Sequence, residues 1–324
     1  MVETENIEYT IETRDLTKRY GRLLAVDHLN LQVPRGVLFG FIGPNGAGKT
    51  TTLRMLAGLL EPSGGQVWVA GQRIDRDLRA ARQLIGYMPD FFGVYEDMLV
   101  WEYLDFFARC YGMPSVRRKV MIDELLDLVN LADKRDANVQ ALSRGMQQRL
   151  CLAHALVHDP QILLLDEPAS GLDPRARVEM RELLKELAAM GKTLIVSSHI
   201  LAELEEMCTQ IGIVEKGKLV ACGSMEDIRR QWQTHRILRV RLLADEPAAL
   251  ELWRVAGTPG GSDPVVVAAN GRPGTTLEVE LTGDDYVAAA LLSRLTAQGA
   301  QVADFREAGN ELEDLFLQLT DRGQ

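Results

Sequence analysis

An α/β fold built on a parallel sheet, followed by a smaller α+β unit, is what three features of the 324-residue chain predict. Short, nearly unbroken apolar runs alternate with amphipathic stretches through the first 230 or so residues, as strands buried on both faces and joined by helices require. A long stretch of mostly helical periodicity, about 92–157, interrupts them. Composition then shifts near residue 235: from Arg236 onward there are eight arginines, no lysine and fourteen acids, a net charge of −6. The polar segment Gln231–His235 reads as a linker, which gives one domain over 1–232 and a second over 236–324.

The clearest strands of the first domain are Val37–Ile42, Gln161–Leu165 and Thr193–Ser197. Helices are expected at about Gly48–Gly58, Arg175–Met190 and Ile200–Met207. The stretch 92–157 reads as a helical subdomain inserted into the sheet. In the second domain the expected order is strand Ile237–Leu243, helix Pro247–Val255, strand Val265–Ala269 and strand Thr275–Leu281. Helix Asp284–Ala297, strand Gln301–Arg306 and a last helix, Glu311–Thr320, follow. Pro/Gly punctuation at Thr258–Gly261 and Gly271–Gly274 supports the strand breaks. A βαββαβ order is that of a ferredoxin-like unit.

Composition excludes several classes. With 46 acidic against 36 basic side chains, the net charge is −10, the wrong sign for displacing counterions from nucleic-acid phosphates. No apolar run approaches the roughly 18 residues of a membrane span. The first residues lack the basic and apolar regions of a secretory signal. Cys110, Cys151, Cys208 and Cys222 are widely spaced and form no Cys-x-x-Cys pair, which argues against a disulfide framework or a zinc ribbon. A soluble, intracellular protein is expected. His154 and His158 are four apart, as zinc-binding pairs are, yet Ala155 stands where the zinc-protease pattern needs glutamate.

The chemistry is concentrated in two places. Gly43-Pro44-Asn45-Gly46-Ala47-Gly48-Lys49-Thr50 fits G-x-x-x-x-G-K-[ST] between a buried strand and a helix. Glycines let backbone N–H groups curl around a phosphate, and the helix N-terminus adds partial positive charge. Lys49 reaches β- and γ-phosphates, and the Thr50 hydroxyl suits Mg²⁺. Thr51 completes the expected contact surface; it also occupies the third-glycine position of a dinucleotide fingerprint, which excludes that reading. The second place is Ile162-Leu-Leu-Leu-Asp166-Glu167, a buried strand ending in two carboxylates. Neighbours on a strand face opposite sides, so Asp166 is assigned to Mg²⁺ and Glu167 to the attacking water.

With these motifs in place, the chain resembles the ATP-binding cassette (ABC) family over about residues 7 to 230. The distinguishing mark is Leu142-Ser143-Arg144-Gly145-Met146, followed by Gln147-Gln148-Arg149. The resemblance implies that Ser143 and Gly145 begin a helix capping the γ-phosphate of ATP held by another subunit. Arg144 and Met146 stand where glycine and glutamine are commoner. By the same resemblance Tyr20 stacks on adenine, the loop Ser170-Gly-Leu-Asp173 crosses a dimer interface, and His199 contacts the γ-phosphate and orients water. Asp90, after Gly86-Tyr-Met-Pro89, stands where the family has a Mg²⁺-touching glutamine. A carboxylate is itself a competent Mg²⁺ ligand.

The implied fold is a P-loop NTPase (RecA-like) core with the inserted helical subdomain, an N-terminal antiparallel β subdomain and the ferredoxin-like tail domain. The implied cofactors are ATP and Mg²⁺, and catalysis falls to Glu167 and His199. One phosphate loop and one trans-acting signature make two half-sites, so the resemblance implies a head-to-tail dimer with itself or a closely related ATPase. A separate integral membrane permease is the implied partner, with nucleic acid excluded. The expected location is the cytoplasmic face of the membrane, serving an exporter of multidrug, antibiotic or polysaccharide type. Eight of the nineteen aromatics fall in residues 91–111; filling the helical subdomain's own core and receiving a permease helix are both open readings. The tail is free to regulate hydrolysis, strengthen dimerisation or contact the permease.

Overall fold

The structure is a computed structural model that describes residues 9–75, 82–90, 93, 97–232, 236–257, 264–267, 273–281 and 285–307. The chain divides into two compact units, 1–225 and 226–324. The last expected helix, Glu311–Thr320, lies outside the described residues, as do Phe91, Phe92 and Tyr95 of the aromatic group.

The first unit opens with a hairpin, β1 (Tyr9–Tyr20) and β2 (Leu23–Pro34), antiparallel from Tyr9↔Pro34 to Tyr20↔Leu23. β4 (Gly64–Val69) and β5 (Gln72–Arg73) join it in a four-stranded sheet of order β2-β1-β4-β5. Ala70 and Gly71, both at positive φ, turn between the last two strands.

The central sheet has the order β10-β9-β3-β8-β7-β6. β3 (Leu38–Ile42), β7 (Ile162–Asp166) and β8 (Thr193–Ser198) are buried at every position, because helices and the hairpin sheet cover them. β6 (Ile85–Met88), β7, β8, β3 and β9 (Gln210–Glu215) run parallel, and β10 (Lys218–Ser224) closes the edge antiparallel to β9. Phe39, Phe41, Leu164, Ile195, Leu53 and Leu56 form the heart of the core and are fully buried.

The chain leaves β3 through α1 (Lys49–Leu56) and reaches the inserted helices α2 (Val100–Cys110), α3 (Ser115–Leu128) and α4 (Arg144–Leu156). The aromatic group divides between them and solvent. Tyr103 is buried and Phe107 stacks on His154 at 3.7 Å, whereas Phe106 and Tyr111 remain 41% and 44% exposed. α5 (Pro174–Ala189) and α6 (Leu201–Glu205) follow β7 and β8. α5 begins one residue before its expected start because Asp173 caps it and Pro174 takes the first helical position, where its missing N–H costs nothing.

After α7 (Met225–Trp232) the second unit contains β11 (Arg236–Leu242), α8 (Glu246–Ala256), β12 (Val265–Val267), β13 (Thr275–Leu281), α9 (Asp285–Ala297) and β14 (Val302–Glu307). Its sheet has the order β12-β13-β11-β14 with every neighbouring pair antiparallel, the ferredoxin-like topology. Leu238, Val240, Leu242, Leu277, Val279 and Leu281 alternate onto one sheet face and pack with Trp253, Leu291 and Leu295.

Candidate functional site

Parallel strands end together, and the loops that leave them share one edge of the sheet. Here β3 runs into Gly43, β7 into Glu167, β8 into His199 and β6 into Pro89 and Asp90. Residues far apart in sequence are thereby brought to one cleft. Its volume is about 410 Å³, and Tyr20, Leu23, Ala25, Pro44–Thr51, Asp90, Glu167, Ser170 and His199 line it.

The phosphate loop is shaped by close backbone approaches. Gly48 caps α1 at φ 102°, and a Cβ on it would stand 2.5 Å from the Ala25 carbonyl oxygen. A Cβ on Gly43 would stand 2.3 Å from the Val214 carbonyl oxygen. No side chain caps α1, so its first-turn amides stay open to an anion. The Lys49 ammonium, 6% exposed, donates to the Gly43 and Pro44 carbonyls at 2.6 and 3.3 Å, folded back over its own loop.

Glu167 stands at φ 50°, a left-handed turn that is costly for a residue with a Cβ. The turn carries its carboxylate out of the sheet. One oxygen lies 3.4 Å from the Lys49 ammonium and the other 2.6 Å from His199 Nδ1. A carboxylate is acceptor-only, so Nδ1 carries the proton and Nε2 is left for another partner.

Asp166, the last residue of β7, is 1% exposed. Ser197 Oγ donates to its Oδ1 at 2.7 Å, and its buried Oδ2 has no hydrogen-bond partner among the described residues. Burial pushes this carboxyl above the usual range; the Ser197 and Thr50 hydroxyls pull it down, and the charges of Asp90 and Glu167 raise it again. A buried, orphaned carboxylate oxygen beside a threonine hydroxyl and a second aspartate is a hard oxygen donor set that fits Mg²⁺.

Ser143, Gly145 and Asp173 lie outside this cleft. Ser143 Oγ accepts the Met146 N–H at 3.4 Å and caps α4, and Asp173 Oδ1 accepts the Ala176 N–H at 3.0 Å and caps α5. The two helix starts meet, since a Cβ on Gly145 would come within 2.9 Å of the Ala176 Cβ. Arg144 donates to the Ser170 carbonyl at 3.1 Å and lays its guanidinium against Gly171. The structure thus makes two groups: the cleft around the phosphate loop, and the signature helix joined to the loop after Glu167.

Sequence reasoning missed Ser197 and the cleft walls Leu23 and Ala25. Of the loop Ser170–Asp173, Ser170 lines the cleft. A larger cleft of about 950 Å³, lined among others by Tyr111, Met113, Arg117, Glu124 and His158, holds no phosphate-binding loop. His154 and His158 stack on Phe107 and Tyr111.

Known proteins place this geometry. The family profile described as ABC transporter matches residues 26–170. A Nod factor export ATP-binding protein I from Paraburkholderia xenovorans is 37% identical over 320 residues, 97% of this chain and 98% of that one. A solved ATP-binding subunit of an ABC transporter is 31% identical with a TM-score of 0.63, covering 69% of this chain and 93% of that one. A dimeric bacterial ABC transporter cassette is 25% identical with a TM-score of 0.61, covering 66% and 98%. With its phosphate loop, Glu167 and strand-end histidine in one cleft, the chain belongs to the ATP-binding cassette family as one of its ATP-hydrolysing proteins.

Proposed function

We propose that this chain is the ATPase subunit of an exporter, closing with a second cassette around two MgATP and driving a separate membrane permease. In this reading residues 1–232 form the ATP-binding domain and 236–324 an accessory domain. The observation that carries it is the Glu167 carboxylate, held between Lys49 and His199 beside an open phosphate loop. Export is what the full-length relatives are named for. The permease is read as a separate chain in keeping with the lack, among the described residues, of any helix long and apolar enough to cross a membrane.

The roles divide by chemistry. Tyr20, at the mouth of the cleft and 47% exposed, offers a ring face for adenine. The amides and side chains of Gly43–Thr51 cradle the phosphates, with Lys49 leaving Glu167 for the β- and γ-phosphate oxygens. Thr50 and Asp166, with Asp90 beside them, would hold Mg²⁺. Bound there, the ion supplies charge neutralisation at the phosphate oxygens. Glu167 takes the proton of the attacking water, and His199, oriented through Nδ1, presents Nε2 to the γ-phosphate. Ser143 and Gly145 meet the nucleotide of the opposite subunit, and Asp173 keeps the loop at that interface in register by capping α5. Nucleotide-driven closure is then a rigid-body switch handed to the permease at the cytoplasmic face of the membrane.

Glu167→Gln tests the reading. The variant should bind MgATP, fail to hydrolyse it, and run as a dimer by light scattering only when ATP is present. Turnover at the wild-type rate would remove Glu167 as the base. A monomer with ATP, both alone and with its permease, would overturn the closure.

A further inference from the structure

A fully buried serine must place its hydroxyl somewhere. β8 reads Thr-Leu-Ile-Val-Ser-Ser, every position buried, and Ser197 is 0% exposed. Its Oγ does two things at once. It donates to Asp166 Oδ1 at 2.7 Å and accepts the backbone N–H of Glu167 at 3.0 Å. The strand register causes this, since β8 pairs with β7 through Leu165↔Val196 and Asp166↔Ser197. No apolar residue can do both, because the position needs one atom that is donor and acceptor together.

We propose that Ser197 is a positioning residue of the hydrolysis site, fixing Asp166 through Oδ1 and the Glu167 turn through its amide. The proposal rests on the roles assigned above to Asp166 and Glu167. The Ser197 bond fixes the carboxylate through Oδ1 and leaves Oδ2 as its unpartnered oxygen for a cation. With its N–H taken, Glu167 keeps the left-handed φ of 50° that sends its side chain to Lys49 and His199. His199 lies two residues beyond Ser197, so the end of one strand holds Glu167 by its backbone and by its carboxylate. Ser197 is not part of the cleft lining; it acts through its two neighbours.

The test uses the full chain with Ser197→Ala, Ser197→Thr and Ser197→Val. Outer partners of metal ligands are worth about 10–100-fold, so Ser197→Ala should lower kcat by that factor while KM for ATP stays within about threefold. A second readout does not depend on turnover: the gain in affinity for a fluorescent, non-hydrolysed ATP analogue on adding Mg²⁺ should shrink in Ser197→Ala, with Mg²⁺-free affinity unchanged. Thr restores both properties because it keeps the hydroxyl, whereas the isosteric Val does not. Should Ala fail to fold, Thr against Val decides alone. Equal kcat and equal Mg²⁺ response in that pair, or a wild-type Ala variant, overturn the proposal. Glu167→Gln separates the two levels. If it abolishes hydrolysis while Ser197→Ala is unaffected, only Ser197 is misassigned; if it hydrolyses normally, the site reading itself is wrong.

Discussion

His199 Nδ1 and Glu167 Oε2 are 2.6 Å apart, and the Lys49 ammonium stands 3.4 Å from the other oxygen of the same carboxylate. Glu167 is thus held from both sides before any nucleotide arrives. ATP must take Lys49 from it. Replacing the carboxylate by the neutral Glu167→Gln amide removes the ion pair that competes with the phosphates, so ATP affinity should rise several-fold while hydrolysis is lost. His199→Ala leaves Lys49 in place and frees one oxygen. It should reduce kcat by about 10²–10⁴-fold, the range for a positioned acid–base partner, with ATP binding retained. Equilibrium titration beside single-turnover hydrolysis separates the two effects; weaker ATP binding by Glu167→Gln would count against the competition.

Gly48 tests the loop itself. At φ 102°, with the Ala25 carbonyl oxygen 2.5 Å from any Cβ, alanine meets both strain and a backbone clash. Gly48→Ala should cost about 1–3 kcal/mol of stability from the backbone conformation alone, and more from the clash. Gly46, at φ 83°, has nothing within 4 Å of its Cβ position, so Gly46→Ala carries the strain without the clash. Urea midpoints should therefore rank wild type, Gly46→Ala, Gly48→Ala, and ATP affinity should follow the same order.

The phosphate loop and the acidic pair were legible because their chemistry is written in adjacent residues. A Gly-rich turn and a strand ending in two acids need no tertiary information. The parallel sheet was legible for a similar reason, since β3, β7 and β8 are buried on both faces and so have no polar alternation. Ser197 was not legible. Its partner Asp166 is 31 residues away, and only the Asp166↔Ser197 register joins them. Leu23 and Ala25 escaped notice because a cleft wall is chosen by where a hairpin folds, not by residue type. In the aromatic group, helix geometry buries Tyr103 while Phe106 stays exposed, a division that spacing shows only once the packed face of α2 is known.

Arg144 stands where the family more often has glycine, and the structure gives it a local task. Its guanidinium donates to the Ser170 carbonyl and covers Gly171, whose Cβ position lies 2.4 Å from the Arg144 Cζ. The start of the signature helix is thereby tied to the loop after Glu167 within one subunit. Gly171→Ala alone should displace Arg144 and pay for the φ of 65° as well. In an Arg144→Gly background only the backbone term remains. The double-mutant cycle should therefore show coupling of about 0.5–3 kcal/mol, the range for residues in contact. Additive effects on urea stability would mean that the arginine is free to swing aside at no cost.

His154 makes the helical subdomain sensitive to acid. It stacks on Phe107 at 3.7 Å and meets Tyr103 edge-on, and burial, with His158 nearby, lowers its pKa to about 4. In the unfolded chain it titrates at the ordinary value near 6.5. Above that pH both states are neutral and the contribution to stability is complete. Between 6.5 and about 4 the unfolded chain holds a proton that the folded chain refuses. Unfolding free energy therefore falls with pH, by up to about 1.4 kcal/mol per unit for this one group. Below the folded value the loss levels off. His158 is shifted in the same direction by its own burial and adds to the slope. His154→Phe keeps a ring against Phe107 and removes the titration. Urea unfolding between pH 7.5 and 4.5 should show a shallower decline for the variant, and curves that fall in parallel would assign the acid lability to other groups.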